Sequence, residues 1–310
     1  MKKVVFNLII AVCFGCMLQS CCDKPVSKRL FEHVVVIGID GLTADGLKKA
    51  ETPVMDNLIA NGAVKYDVRA VLPSSSAANW GAMIHGAGTE ASGITSNKWE
   101  PDGQWMQPIV KNKYDRFPNI FNIIREQLPD AEQGAIFHWG GFGKLLQEEE
   151  VNCYLKGSSA EETTQLSCNY ITSKKPTFLF IHLDHVDGAG HDSGYKSDTY
   201  LKVVANADKL VGRIVESIQQ AGMENNTLVM VVSDHGGFIK GHGGESTDEC
   251  NVPVIYHGNG VKKNYMVQQV VYMFDVAANV AFALNLEVPY AWTGRPTLAA
   301  FEGYPEPENH

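Results

Sequence analysis

The chain has 310 residues, room for one large α/β domain or two small ones, and its 45% apolar and 20% charged residues are the balance of an ordinary globular protein. Lys and Arg number 26 against 35 Asp and Glu. The resulting net charge of −9 argues against a nucleic-acid binder, because phosphate backbones are held by Lys and Arg, but is compatible with a carboxylate-rich metal site.

Met1-Lys2-Lys3 is a short basic start, and residues 4–18 are almost wholly apolar. That run is shorter than the ~20 residues of a membrane-spanning helix and has the size of a signal-peptide core. It ends in Leu18-Gln19-Ser20-Cys21, which resembles the lipobox of bacterial lipoproteins. The resemblance implies a signal peptide over 1–20, lipidation of Cys21, a tether over 21–32 and one domain over 33–310. It places the protein outside the cytoplasm, held to a bacterial membrane at the periplasm or cell surface. Cys153 and Cys168 could close a loop there worth about 3 kcal/mol, or be two buried thiols; the sequence leaves both open.

Residues 33–39 (HVVVIGI) form a β-branched run predicted to be a buried strand. Residues 53–61 read as a helix, with Thr52 as N-cap and Pro53 in its first turn. Strands are predicted at 64–72, 134–137, 177–183, 228–232 and 252–256, and helices at 77–85, 119–127, 197–220 and 274–284. Alternation of the two types predicts an α/β fold: a central, mostly parallel sheet with helices on both faces. Ligands of such sheets gather beyond the carboxyl ends of the strands.

The residues just past the strands share one chemistry. The first strand ends in Asp40, and the second leads to Ser74-Ser75-Ser76 at the start of a helix. The run at 177–183 opens into Asp184-His185-Val186-Asp187 and His191. The next opens into Ser233-Asp234-His235-Gly236, and Gly241-His242 comes soon after. One Asp after a strand is commonly a turn residue. Three Asp and three His in such places, each beside Gly, are hard to explain as turns, and carboxylate with imidazole is the donor set of hydrolytic zinc.

In order and combination these motifs resemble the alkaline phosphatase superfamily, in its branch of type I phosphodiesterases and nucleotide pyrophosphatases. The likeness spans residues 34–296 and rests on Asp187 with His191 (D-x-x-G-H), Asp234 with His235 (S-D-H-G), His242, and a hydroxyl residue three before an Asn. That spacing selects Ser76 with Asn79, Ser75 being the alternative. The branch often carries Thr-Phe-Pro-Asn-His where this chain has Ser76-Ala77-Ala78-Asn79-Trp80, which weakens the expectation of a nucleotide substrate.

The resemblance implies two divalent metals, zinc first and manganese second. Asp40, Asp234, His235 and the Ser76 oxygen hold one; Asp187, His191 and His242 hold the other. Ser76 is then the metal-activated nucleophile of a phosphoester hydrolase acting through a phosphoserine on a small substrate, with Asn79 donating to the phosphoryl oxygens. Phosphodiesterase is the first reading. Phosphomonoesterase on the same site and a non-catalytic metal- or glycan-binding lipoprotein are the alternatives. A sulfatase is disfavoured, because residues 74–79 contain neither Pro nor Arg. Asp184 and His185 are read as support or surface rather than ligands, and His138, His182 and His257 as structural. Trp99, Trp139 and Phe142 stand between pocket lining and packing, and His85 is an outside candidate for the site.

Overall fold

The computed structural model describes residues 29–103 and 105–307. The predicted signal peptide, Cys21 and the predicted tether up to residue 28 lie outside the described residues. Among those described, no helix is long and apolar enough to cross a membrane.

Eight strands form one sheet: β1 (His33–Ile39), β2 (Ala63–Arg69), β3 (Gln133–Phe137), β4 (Cys153–Lys156), β5 (Phe178–Leu183), β6 (Thr227–Val232), β7 (Asn251–His257) and β8 (Tyr265–Met266). Their spatial order is β4-β3-β5-β1-β6-β7-β2-β8. All neighbouring pairs are parallel except those made by β7, which runs antiparallel to β6 and β2. The cause is local: β6 and β7 are joined by a loop and the one-turn helix Thr247–Cys250, not by the long crossover that parallel neighbours need.

The central strands are buried on both faces, and side chains alternate between them. Val34 and Val36 of β1 join one core with Trp80, Phe121, Phe142 and Phe180. Val35, Ile37 and Ile39 join the other with Met55, Tyr200, Val211 and Ile214. The first core lies under helices Ser76–His85, Ile120–Gln127 and Asp275–Ala283, the second under Pro53–Ala60, Ala160–Lys174 and Asp198–Gln220.

The predicted elements are present, with ends shifted by a few residues. The second strand stops at Arg69 rather than 72, because Val71 N–H is drawn off to the Asn79 side chain at 2.7 Å. Strand β4 and helix Ala160–Lys174 have no clear mark in the sequence. Only Cys153 of the four β4 residues is buried. The helix buries Thr163, Thr164 and Ser167, whose hydroxyls donate to carbonyls four residues back and so need no other partner. Cys153 and Cys168 are free thiols, the Cys168 Sγ lying 3.4 Å from the Arg213 carbonyl oxygen.

Thr52 holds the predicted N-cap position, but its side chain accepts from no helix amide; its hydroxyl donates to Leu47 O instead. The cap comes from a distant element. Asp208, buried on helix Asp198–Gln220, accepts from Val54 N at 3.1 Å and Met55 N at 2.8 Å, joining two helices of one layer. Asp208→Ala should therefore cost about 1–2 kcal/mol in urea unfolding, the size of a lost side-chain cap.

Candidate active site

The strand register assembles the site. Gly38 of β1 pairs with Val232 of β6, so Asp40 and Asp234, each two residues further on, emerge side by side. Ile39 pairs with Leu183 of β5, which brings the next helix, His185–Ser193, and with it Asp187, to the same end. Gly41 makes this approach possible. Its φ of +68° is a left-handed conformation, and a Cβ there would lie 2.8 Å from Asp187 Oδ1 and 2.9 Å from Asp187 Cα. Two tyrosines brace the turn. Tyr200 OH donates to Gly41 O at 2.8 Å and accepts from Thr43 N at 2.9 Å, while Tyr195 OH donates to Asp187 Oδ1.

Around these carboxylates the three predicted histidines share one arrangement. His235 Nδ1 lies 2.8 Å from Gly236 O, His242 Nδ1 3.1 Å from Ser74 O, and His191 Nδ1 2.9 Å from Lys240 O. A carbonyl only accepts, so each Nδ1 carries the proton. Burial pushes His235 and His242 below the ordinary imidazole range and keeps them neutral, leaving the Nε2 lone pair free. In all three rings Nε2 faces a carboxylate. His235 Nε2 is 3.4 Å from Asp40 Oδ1 and 3.2 Å from Asp234 Oδ2, and His191 Nε2 is 3.2 Å from Asp187 Oδ2. His242 Nε2 lies further off, 3.9 Å from Asp187 Oδ1, with its ring stacked 3.6 Å from that of His235.

Electron pairs facing electron pairs need a metal ion or a proton between them. Asp40 Oδ1 and Asp234 Oδ2 are buried without a hydrogen-bond donor. Burial first, then repulsion from Asp187, raises Asp234 to about 8; burial and the neighbouring Asp234 and Asp187 charges raise Asp40 well above the carboxylate range. Two donor groups result, Asp40 with Asp234 and His235, and Asp187 with His235 and His242, each with ligand atoms within 4.8 Å of one another. A third grouping joins Asp40 to His182 and Asp184. The residues of the first two groups fit a divalent metal; His191 stands beside Asp187 at the exposed rim and belongs to none of the three groupings.

The three serines separate cleanly. Ser74 Oγ donates to Gly244 O at 2.7 Å and accepts from Gly243 N at 3.1 Å, latching this segment to the loop that carries His242. Ser75 is the N-cap of the helix and its hydroxyl has no partner. Ser76 alone faces the cluster, its hydroxyl donating to His235 Nε2 at 3.2 Å.

Asn79 does not reach the place that its spacing from Ser76 predicts. Fully buried, it accepts from Val71 N and donates to the carbonyls of Val71, Pro73 and Ser75, so its amide is spent on shaping the turn before Ser76. The side chain beside Ser76 is Asn97, whose Oδ1 accepts from Ala77 N at 2.8 Å. Asn97 lies in a loop further down the chain, and no local pattern marks it. Phe142 is core, and Trp99 and Trp139 pack against the core's edge. His85 also belongs to the core, its Nδ1 2.7 Å from Gly81 O.

Acidic and neutral histidine groups paired at the ends of parallel strands define an α/β protein with a metal-binding site of the alkaline phosphatase type. The chain belongs to the type I phosphodiesterase / nucleotide pyrophosphatase family, whose model matches residues 34–122 and 132–238. The bis(5'-adenosyl)-triphosphatase of Homo sapiens is 24% identical over 252 residues, which cover 76% of this chain and 53% of the relative. The chain thus spans about half the length of that relative. Among solved structures, a murine ectonucleotide pyrophosphatase/phosphodiesterase 5, an inactive variant in complex with AMP, superimposes with a TM-score of 0.69 at 18% identity, covering 83% of this chain and 96% of that one. A 2-O GAG sulfatase reaches a TM-score of 0.74 at 14% identity, covering 90% and 76%. At such identities these likenesses speak for the fold.

Burial pushes His85 down to about 4, whereas in the unfolded chain it titrates near 6.5. Between those values the unfolded chain binds more protons, so acid removes stability over this window. The urea midpoint should fall as pH drops from 7 to 4, and His85→Gln should make that fall shallower.

Proposed function

We propose that the protein is a two-metal phosphodiesterase that works through Ser76. The observation that carries this reading is the Ser76 hydroxyl, held at the N-terminus of a buried ten-residue helix and aimed at the one imidazole, His235, that both donor groups share. Asp40, Asp234, His235 and the Ser76 oxygen hold one ion, and Asp187, His191 and His242 the other. Zinc suits this oxygen and imidazole set, with manganese the alternative. When bound, such ions offset charge on the phosphoryl oxygens and favour the alkoxide form of a ligating hydroxyl.

This chain's own groups supply the rest. Ser76 Oγ forms the new bond to phosphorus, and the bond from phosphorus to the leaving oxygen breaks. A water oxygen then bonds to phosphorus, the Ser76 ester bond breaks, and the hydroxyl returns. The helix N-terminus favours the anionic group. Asn97, anchored on Ala77 N–H, has its own amide group left to donate to a phosphoryl oxygen, the part that sequence spacing assigns to Asn79.

The residues matched by the family model favour a diester over the alternatives. The murine structure with AMP and the name of the human relative make a nucleotide the first leaving or retained group to try, and thymidine 5'-monophosphate p-nitrophenyl ester should be split alongside the simple diester. Lipid attachment at Cys21 and a position at the periplasm or cell surface complete the reading. They rest on the N-terminal sequence alone.

Turnover by the metal-loaded protein separates these ideas. Bis-p-nitrophenyl phosphate should be split faster than p-nitrophenyl phosphate or p-nitrophenyl sulfate, and Ser76→Ala should abolish the activity. Asn97→Ala should lower kcat by about 10²–10³, as for removal of one oxyanion donor, and should also cost about 1 kcal/mol of stability through the lost acceptor for Ala77 N–H. Asn79→Ala should instead lower the unfolding midpoint. Faster cleavage of the monoester would overturn the diesterase assignment. Labelling of the full chain with a radioactive fatty acid in a bacterial host should occur in wild type and disappear in Cys21→Ala.

A further inference from the structure

The sequence marks His182 as a structural histidine, yet its ring reaches the candidate centre. It sits near the end of β5 opposite Gly38 of β1, is fully buried, and places Nε2 3.1 Å from Asp40 Oδ2. Its other nitrogen, Nδ1, accepts from Trp139 N–H at 3.5 Å. Because Nδ1 accepts, the ring's proton is on Nε2, where it is donated to Asp40 Oδ2. That is the opposite tautomer to His235 and His242, whose protons face carbonyls and whose Nε2 lone pairs face the carboxylates.

Trp80 supplies a second donor to the same atom: its indole Nε1–H lies 3.0 Å from Asp40 Oδ2. Gly38 creates room for that ring, since a Cβ there would meet it at 2.6 Å. The rings of Trp80 and His182 meet edge to face at 4.8 Å, and Phe142 stacks on His182 at 5.2 Å. Neither donor can swing away. With Oδ2 thus occupied twice, Oδ1 is the Asp40 oxygen without a donor, and it is the one that faces His235.

We infer that His182 and Trp80 are positioning residues: together they clamp Asp40 Oδ2 so that Oδ1 alone is offered to a metal ion. His182 is therefore not a ligand of a third ion, although it stands close to Asp40 and Asp184. The inference rests on the proposed metal site and adds to it the residues that set the orientation of one ligand. Hydrogen-bond partners of ligands typically change metal affinity by about 10–100-fold when removed.

The test is zinc affinity of the folded protein, measured by competition with a chromophoric chelator, alongside the thermal midpoint. His182→Phe keeps the ring packing and deletes the donor; His182→Gln restores an N–H near the Nε2 position. Affinity for one ion should fall about 10–100-fold in His182→Phe, recover to within about threefold of wild type in His182→Gln, and fall in Trp80→Phe, the second ion being unaffected. Equal losses in His182→Phe and His182→Gln, or wild-type affinity in both His182→Phe and Trp80→Phe, would overturn the clamp. Failure of the wild-type chain to take up zinc would instead overturn the metal site itself. Imidazole nitrogen shifts of the metal-free wild type offer a measurement free of any folding defect. The His182 proton should be on Nε2 and those of His235 and His242 on Nδ1; a proton on His182 Nδ1 would refute the inference.

Discussion

Like charges held together in a dry place dominate this molecule. Asp40, Asp187 and Asp234 converge where β1, β5 and β6 end, and the sheet gives them no freedom to part, because the register that pairs Gly38 with Val232 also sets the distance between the two aspartates beyond. Burial in low dielectric makes each negative charge expensive and each neighbour makes it more so. Neutral imidazoles with their lone pairs turned inward add electron density rather than removing it. A site built in this way is stabilised by cations and by little else.

The surrounding structure is the scaffold that this convergence requires. Gly41 gives up its side chain so that the Asp187 backbone can come close, and Tyr195 and Tyr200 hold the turn from both sides. The antiparallel β7 starts at the site end of the sheet, so the loop that carries His242 has only a short distance to cover. Helix Ser76–His85 is buried along its whole length, so the hydroxyl at its start is fixed by the core and not by a flexible loop.

Much of this is legible in the amino-acid string because it depends on residue type. Asp and His after β-branched runs mark candidate ligands where the sheet is parallel, and Asp40, Asp187, Asp234, His235 and His242 stand out in that way. Roles that depend on three-dimensional neighbours do not. Asn79 has the right spacing from Ser76, but a helix turn carries its amide back into the loop. Asn97 arrives from another segment. Thr52 has the chemistry of a cap, yet Asp208 reaches the amides of the same helix from elsewhere. His182 looks like any histidine in an apolar strand; only the pairing of β5 with β1 reveals that it lies opposite Gly38 and beside Asp40. Helix Ala160–Lys174 is hidden because its buried hydroxyls satisfy themselves, which makes a packed face look polar.

The Ser74 latch carries one more implication. Its hydroxyl is bonded at once to both glycines after His242, and His242 returns a bond to the Ser74 carbonyl. The segment bearing Ser76 and the segment bearing His242, far along the chain, are in effect one rigid part with two chain entries. A displacement of either must drag the other. Loss of His242 from its place should therefore loosen the turn that leads into Ser76 as well.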